Sequence, residues 1–145
     1  MGFEDGLAWC AIFVAWCAEQ ANIDTTSSSA DPPYVLSNTA WVPTLEDFYR
    51  NSNRLLTPSA ASGSNNAPIR GDLAFIEKGS DPEPDHVGIV VSRTGVGSNC
   101  VVYTIDGNYD DDIQRIRYTY NASTGRFENP SGHWIKSLGS QWKQY

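Results

Sequence analysis

The first apolar run of the chain, LAWCAIFVAWCAEQA from Leu7 to Ala21, has strong helix formers throughout and no Gly or Pro. At about 100° per residue Cys10, Phe13, Val14, Cys17 and Ala21 share one face and Trp9, Ile12 and Trp16 a second, leaving only Glu19 and Gln20 polar. A helix apolar nearly all round is expected to be buried. Asp5 and Gly6 are its N-terminal signals, which places Cys10 near the first turn and Cys17 well inside. A polar, proline-containing loop follows, and TLEDFYRNSNRLL then predicts a shorter helix capped by Thr44, with Leu45, Phe48 and Tyr49 on its buried side. After the small-residue loop TPSAASGSNNAP the period changes.

GDLAFIEK, HVGIVVSR, CVVYTIDG and IQRIRYTY are short β-rich runs separated by Gly, Asp, Pro and Asn clusters, and a further strand is expected around Gly132-His133-Trp134-Ile135. Helices first and strands afterwards predict an α+β domain, with N-terminal helices packed on a small antiparallel sheet of about four to six strands. That arrangement brings the start of the first helix beside strand residues from much later in the chain.

A chain of 145 residues fits a single domain; at that size roughly two thirds of the unfolded surface can be buried. Five tryptophans, seven tyrosines and five phenylalanines are a globular composition. The net charge of −7, with ten scattered basic residues, argues against a nucleic-acid partner, which needs a Lys/Arg footprint. No run approaches the roughly 20 apolar residues of a membrane span, and Met1-Gly2 does not open a signal peptide. A cytosolic protein or a mature domain of a secreted one is therefore expected.

Three cysteines, Cys10, Cys17 and Cys100, cannot all pair, so at least one thiol is free. With only His86 and His133 as histidines and no CxxC or HxxxH spacing, a metal site is not expected. His86 opens a strand that must be largely buried. Asp106 closes the next, ahead of Gly107-Asn108, which has the composition of a tight turn. A cysteine at a helix start, a histidine at a strand start and a carboxylate at a strand end are the parts of thiol acyl transfer. The helix N-terminus and an imidazolium favour the thiolate, the histidine moves protons, and a carboxylate or amide fixes its tautomer. The free N–H of Cys10 is a candidate oxyanion donor. Against this stand plain packing roles, to which Cys17, Cys100 and His133 are assigned.

Four blocks in order, WCAIFVAWCAEQANI, RGDLAFIEKG, DHVGIVVS and VVYTIDGN, closely resemble the CHAP family of cysteine- and histidine-dependent amidohydrolases/peptidases, within the papain-like group that includes the NlpC-like wall peptidases. The resemblance covers about residues 8–120 and leaves 121–145 as an extension without an assigned role. It implies a papain-like fold, with Cys10 as nucleophile, His86 as base, and Asp106 and Asn108 as orienting residues, Cys17 being a packing position. Where the family pattern has Glu, this chain has Asp106, one methylene shorter. Whether that carboxylate still reaches His86, or Asn108 shares the role, is the question the sequence poses.

The resemblance further implies a peptidoglycan hydrolase, cutting either the N-acetylmuramoyl-L-alanine amide or a stem or cross-bridge peptide bond through a thioester, with no cofactor. An antibacterial effector of the same chemistry with an inhibitor protein, and an inactive wall-binding module, are the alternatives. Trp9, Tyr34 and Trp41 are candidate substrate contacts, and the loops Asp24–Pro43 and Thr57–Arg70 are expected to wall the cleft. A monomer acting outside the cell, at the wall or in the periplasm, is the expected setting. The short lead before Cys10 leaves any upstream oxyanion donor to Phe3–Trp9, and the lack of a wall-binding module suggests an excised catalytic domain or a delivered effector.

Overall fold

The computed structural model of the chain describes residues 9–23, 40–79 and 83–141. Two helices, α1 (Cys10–Gln20) and α2 (Val42–Asn51), precede seven strands: β1 (Leu55–Leu56), β2 (Leu73–Glu77), β3 (His86–Thr94), β4 (Val101–Tyr109), β5 (Asp112–Asn121), β6 (Arg126–Glu128) and β7 (Trp134–Gly139). Every pairing is antiparallel, in the order β1-β7-β2-β3-β4-β5-β6. Because β6 also pairs with β7, through Glu128 and Trp134, strands β2 to β7 close into a six-stranded barrel. The expected α+β class is present, but the sheet is a barrel rather than an open layer. The segment without an assigned role supplies the two strands that close it.

The barrel has two apolar faces. Ala74, Ile76, Val90, Val102, Ile116, Tyr118, Phe127, Ile135 and Leu138 fill its interior. Leu73, Phe75 and Val87 point outward against Cys10, Ala11, Val14 and Ala18 of α1 and Val42, Leu45 and Tyr49 of α2. Strand β2 is covered on both sides, which is why LAFIE is buried at every position rather than alternating. Inside the barrel, the inward parity of β3 belongs to His86, Gly88 and Val90, and that of β4 to Val102, Thr104 and Asp106.

Helix α1 packs across β3 and β4. Its Cys10, Phe13, Val14 and Ala18 are buried, but the second apolar face is not: Trp16 is 48% exposed, and Trp9 and Ile12 are half-buried. The helix lies on the outside of the barrel, so one flank faces outward. The signals Asp5 and Gly6 lie outside the described residues; the residue that caps the helix is Trp9, with no side-chain cap. Helix α2 begins two residues before Thr44, because Pro43 carries the φ of a first helical turn and needs no N–H acceptor there. It ends at Asn51, and the expected continuation through Leu55-Leu56 is instead β1, after Asn53 turns the chain at φ 56°.

The loop after β1 is anchored on the barrel at both ends. Ala60 sits in the barrel interior and accepts from the N–H of Gly97, while Arg70 and Gly71 bond to Val91 and Val90. These contacts lie away from the ends of β3 and β4 that carry His86 and Asp106.

Candidate active site

Cys10 is the first residue of α1, and the first helical hydrogen bond runs from the N–H of Phe13 to the carbonyl of Trp9. With no side-chain cap, the N–H groups of Cys10, Ala11 and Ile12 have no acceptor within the helix. Packing of α1 on β3 sets the Cys10 sulfur against His86, with which it shares a hydrogen bond, and against the N–H groups of Ala11 and Val87. Cys17, two turns on, borders an apolar hollow with Val14, Ala18, Ile23 and Ile89. Cys100 is buried at the start of β4, where Arg93 Nε donates to its sulfur at 3.3 Å. All three thiols are free.

On its other side His86 donates from Nε2 to Asp106 Oδ2 at 2.8 Å, which leaves Nδ1 for Cys10. The shorter side chain therefore spans the gap between the strands. It does so because nothing stands between them: a Cβ on Gly88 would overlap Asp106 Oδ1 and lie 2.6 Å from its Cγ. Asn108 makes no side-chain hydrogen bond among the described residues; it contributes backbone, at φ 58°, to a bulge between Asp106 and Tyr109. Gly107-Asn108 is thus not the turn. The hairpin turns at Asp110-Asp111, both at positive φ as a type I′ turn requires.

Cys10 and His86 are 1% and 2% exposed and Asp106 is fully buried. Burial pushes the Cys10 thiol up, but the hydrogen bond and charge of His86, with the N–H groups of Val87 and Ala11, hold it below its ordinary 9.0. Burial pushes His86 down, and the hydrogen bonds and charges of Asp106 and Cys10 outweigh it, raising the imidazole to about 9. With His86 raised to about 9 its imidazolium persists at neutral pH, and beside it the Cys10 thiol ionises more readily than an ordinary cysteine. Cys17 has only burial acting on it, which raises its thiol.

Against this geometry, a family model described as the CHAP domain matches residues 2–108. The chain belongs to the CHAP-domain family. CHAP domains are in general hydrolases of cell-wall peptidoglycan, which fits a place of action at the wall or outside the cell. No significant match is found among curated proteins or solved structures. The match stops two residues after Asp106, so the CHAP model spans the cysteine, histidine and carboxylate but not the strands that complete the barrel.

Of the candidate contacts, Trp9 flanks Cys10 and reaches Asp111 Oδ1 of the hairpin with its indole N–H at 3.4 Å. Trp41, 63% exposed, borders a cavity of about 210 Å³ together with Val42, Pro43, Glu83 and Asp85, beside His86 in the chain. Tyr34 lies outside the described residues. Tyr109 is a neighbour that sequence reasoning missed: its ring stands edge-on to His86, centroids 5.9 Å apart at 70°. Only the parity switch of the bulge brings it there, and Gly107-Asn108 in the sequence suggested a turn instead. His133, read as structural, meets Tyr109 OH with its Nδ1 at 3.4 Å. Burial, then the charges of Lys78 and His86, hold its imidazole below the ordinary histidine value. Among the described residues no group of three or more His, Cys, Asp and Glu side chains is arranged to hold a metal, and no helix is long and apolar enough to cross a membrane.

Proposed function

We propose that the chain is a cysteine hydrolase of peptidoglycan, cleaving an amide bond by way of a thioester. The observation that carries this reading is the continuous chain of contacts from the Cys10 thiol through His86 to Asp106, begun at an uncapped helix N-terminus. Each part has a step. The Cys10 thiolate attacks the carbonyl carbon, and the oxygen gathers charge opposite the N–H of Cys10, which has no helical acceptor. The His86 imidazolium gives its proton to the amide nitrogen as the C–N bond breaks, and the amine leaves. Water then loses a proton to the neutral imidazole and adds to the thioester carbon. The C–S bond breaks, releasing a carboxylic acid and the thiolate. Asp106 holds the Nε2–H tautomer throughout, so that Nδ1 stays aimed at sulfur. No step calls for a cofactor.

Both wall amides suit this chemistry: the bond between N-acetylmuramic acid and L-alanine, and a peptide bond of the stem or cross-bridge. Trp9 and Trp41, with the cavity beside Asp85, are the proposed contacts of the glycan or peptide flanking that bond. The test is digestion of purified peptidoglycan by the wild-type chain and by Cys10→Ala. New amino groups are expected from the wild type alone, and mass spectrometry of the released muropeptides names the bond. Equal release by Cys10→Ala would sink the reading.

A further inference from the structure

We propose that Tyr109 is a positioning residue for the His86–Asp106 pair, and that Asn129 and His133, beyond the family match, hold it in place. The inference rests on the reading of Cys10 and His86 as a reactive pair. It begins with parity. Asp106 points into the barrel, and a residue three positions later in a regular strand would point the other way. The bulge adds one residue on β4, since Asp106 pairs with Gln114 but Tyr109 with Asp112, and this returns Tyr109 to the side of Asp106. Two residues of one strand thereby address one imidazole, the carboxylate by a hydrogen bond at Nε2 and the phenol ring edge-on.

The ring is tethered at its far end. Asn129 Nδ2 donates to Tyr109 OH at 3.3 Å, and the hydroxyl in turn faces His133 Nδ1. Asn129 is a rigid anchor: it is buried, its Oδ1 accepts from the N–H groups of Ser131 and His133 at 3.0 Å each, and its own N–H bonds the His133 carbonyl. Lys78 Nζ lies 5.6 Å from the ring centroid, and the Tyr109 carbonyl is held by Gln114. A ring fixed this way opposes rotation of His86 out of line with Asp106 and Cys10. It also keeps water from the pair, whose mutual attraction weakens as the surroundings become more polar. The charged and titratable groups about this cluster are Lys78, Asp85, Asp110 and Tyr118. The β6–β7 turn thus serves the reaction as well as barrel closure.

The test reads Cys10 without any wall substrate. Carboxamidomethylation by iodoacetamide is followed against pH, with peptide mapping so that Cys17 and Cys100 are scored separately. The wild type is expected to show a Cys10 inflection below 9.0. Tyr109→Leu should move it up by about one pH unit, a roughly tenfold loss of rate below the inflection. Tyr109→Phe, which keeps the ring and loses the tether, should move it by less, and His133→Ala, which removes the hydroxyl's ring-nitrogen partner, should resemble Tyr109→Phe. Circular dichroism establishes that each variant is folded; if Tyr109→Leu is not, Tyr109→Phe and His133→Ala carry the test. A wild-type profile in the folded variants overturns the role of Tyr109 while leaving the proposed function intact. An undepressed wild-type inflection overturns both.

Discussion

At the level of single residues, the closest constraint on the site is the missing side chain of Gly88. A methyl group there would occupy the space of Asp106 Oδ1. Gly88→Ala is expected to turn the carboxylate away from His86 and cost about 1–3 kcal/mol of stability, as overpacking a tight core does. Activity should fall by about a hundredfold or more, the usual share of a proton-transfer group. Thermal melting and turnover, measured together, check both. The pH dependence follows from the same pair. Turnover should rise through the lowered Cys10 value and fall through about 9 as His86 loses its proton. Asp106→Asn removes the main support of the imidazolium, so the upper limb should retreat from about 9 toward 6.5. Stability follows in sign. The raised His86 value contributes fully below 6.5 and is lost as pH rises through about 9; the lowered Cys10 value contributes fully above 9.0 and is lost as pH falls through it. The fold should therefore gain most from the pair between those limits, a gain that a melting series in pH detects and that Cys10→Ala should reduce, leaving the share that Asp106 gives to His86. The grouping of Cys10, His86 and Asp106 was legible because Cys10 and His86 each open an element of plain period and Asp106 follows the apolar run of β4, although β4 continues past it to Tyr109. Tyr109 was not, since a bulge changes parity without changing composition.

Among the elements, α1 is the part whose placement decides the chemistry. A Cβ on Gly107 would lie 2.5 Å from Phe13 Cβ and 2.6 Å from its Cγ, so β4 and α1 are in contact without slack. Gly107→Ala is expected to push the helix outward, destabilise the chain by about 1–3 kcal/mol, and slow Cys10 alkylation even where the fold survives. Alkylation at wild-type speed would show that the sulfur's position is set elsewhere. The long, strongly patterned elements were readable: α1, and β2 to β5 with shifts of a few residues at their ends. The short ones were not. Leu55-Leu56 continues the apolar spacing of α2, and only pairing with Leu138 and Gly139 makes it a strand. Arg126–Glu128 is three residues long and carries no period of its own. The start of α2 was misplaced because Thr44 is the better capping side chain while Pro43, one residue earlier, already fixes the helical turn.

For the whole molecule, closure is the property that could not be read from any one segment. Strands β6 and β7 hold β5 on one side and β2 on the other, so the barrel depends on residues beyond the family match. A chain ended after Tyr120 would leave β2 and β5 as open edges, with Ile76 and Tyr118 losing Ile135 and Phe127 as interior neighbours. Such a fragment is expected to aggregate or melt without a cooperative transition, in size-exclusion and calorimetric measurements, where the full chain stays folded. A monomeric fragment with a sharp transition would show that residues 1–120 are self-sufficient. The sequence revealed which segments form most of the strands, but pairing of ends far apart in the chain is a property of the assembled sheet.

The bare N-terminus of α1 has a cost that its context explains. A Ser or Asp at position 9 would bond the N–H of Ala11 or Ile12 and add about 1 kcal/mol to the helix. The Ala11 N–H, however, is one of the groups turned toward the Cys10 sulfur. A better cap would compete with the thiolate for the same hydrogen, and an aspartate would add a like charge beside it. The Trp9 side chain caps none of the first-turn N–H groups, and in that respect the chain forgoes local stability and leaves the proposed nucleophile without a rival for them.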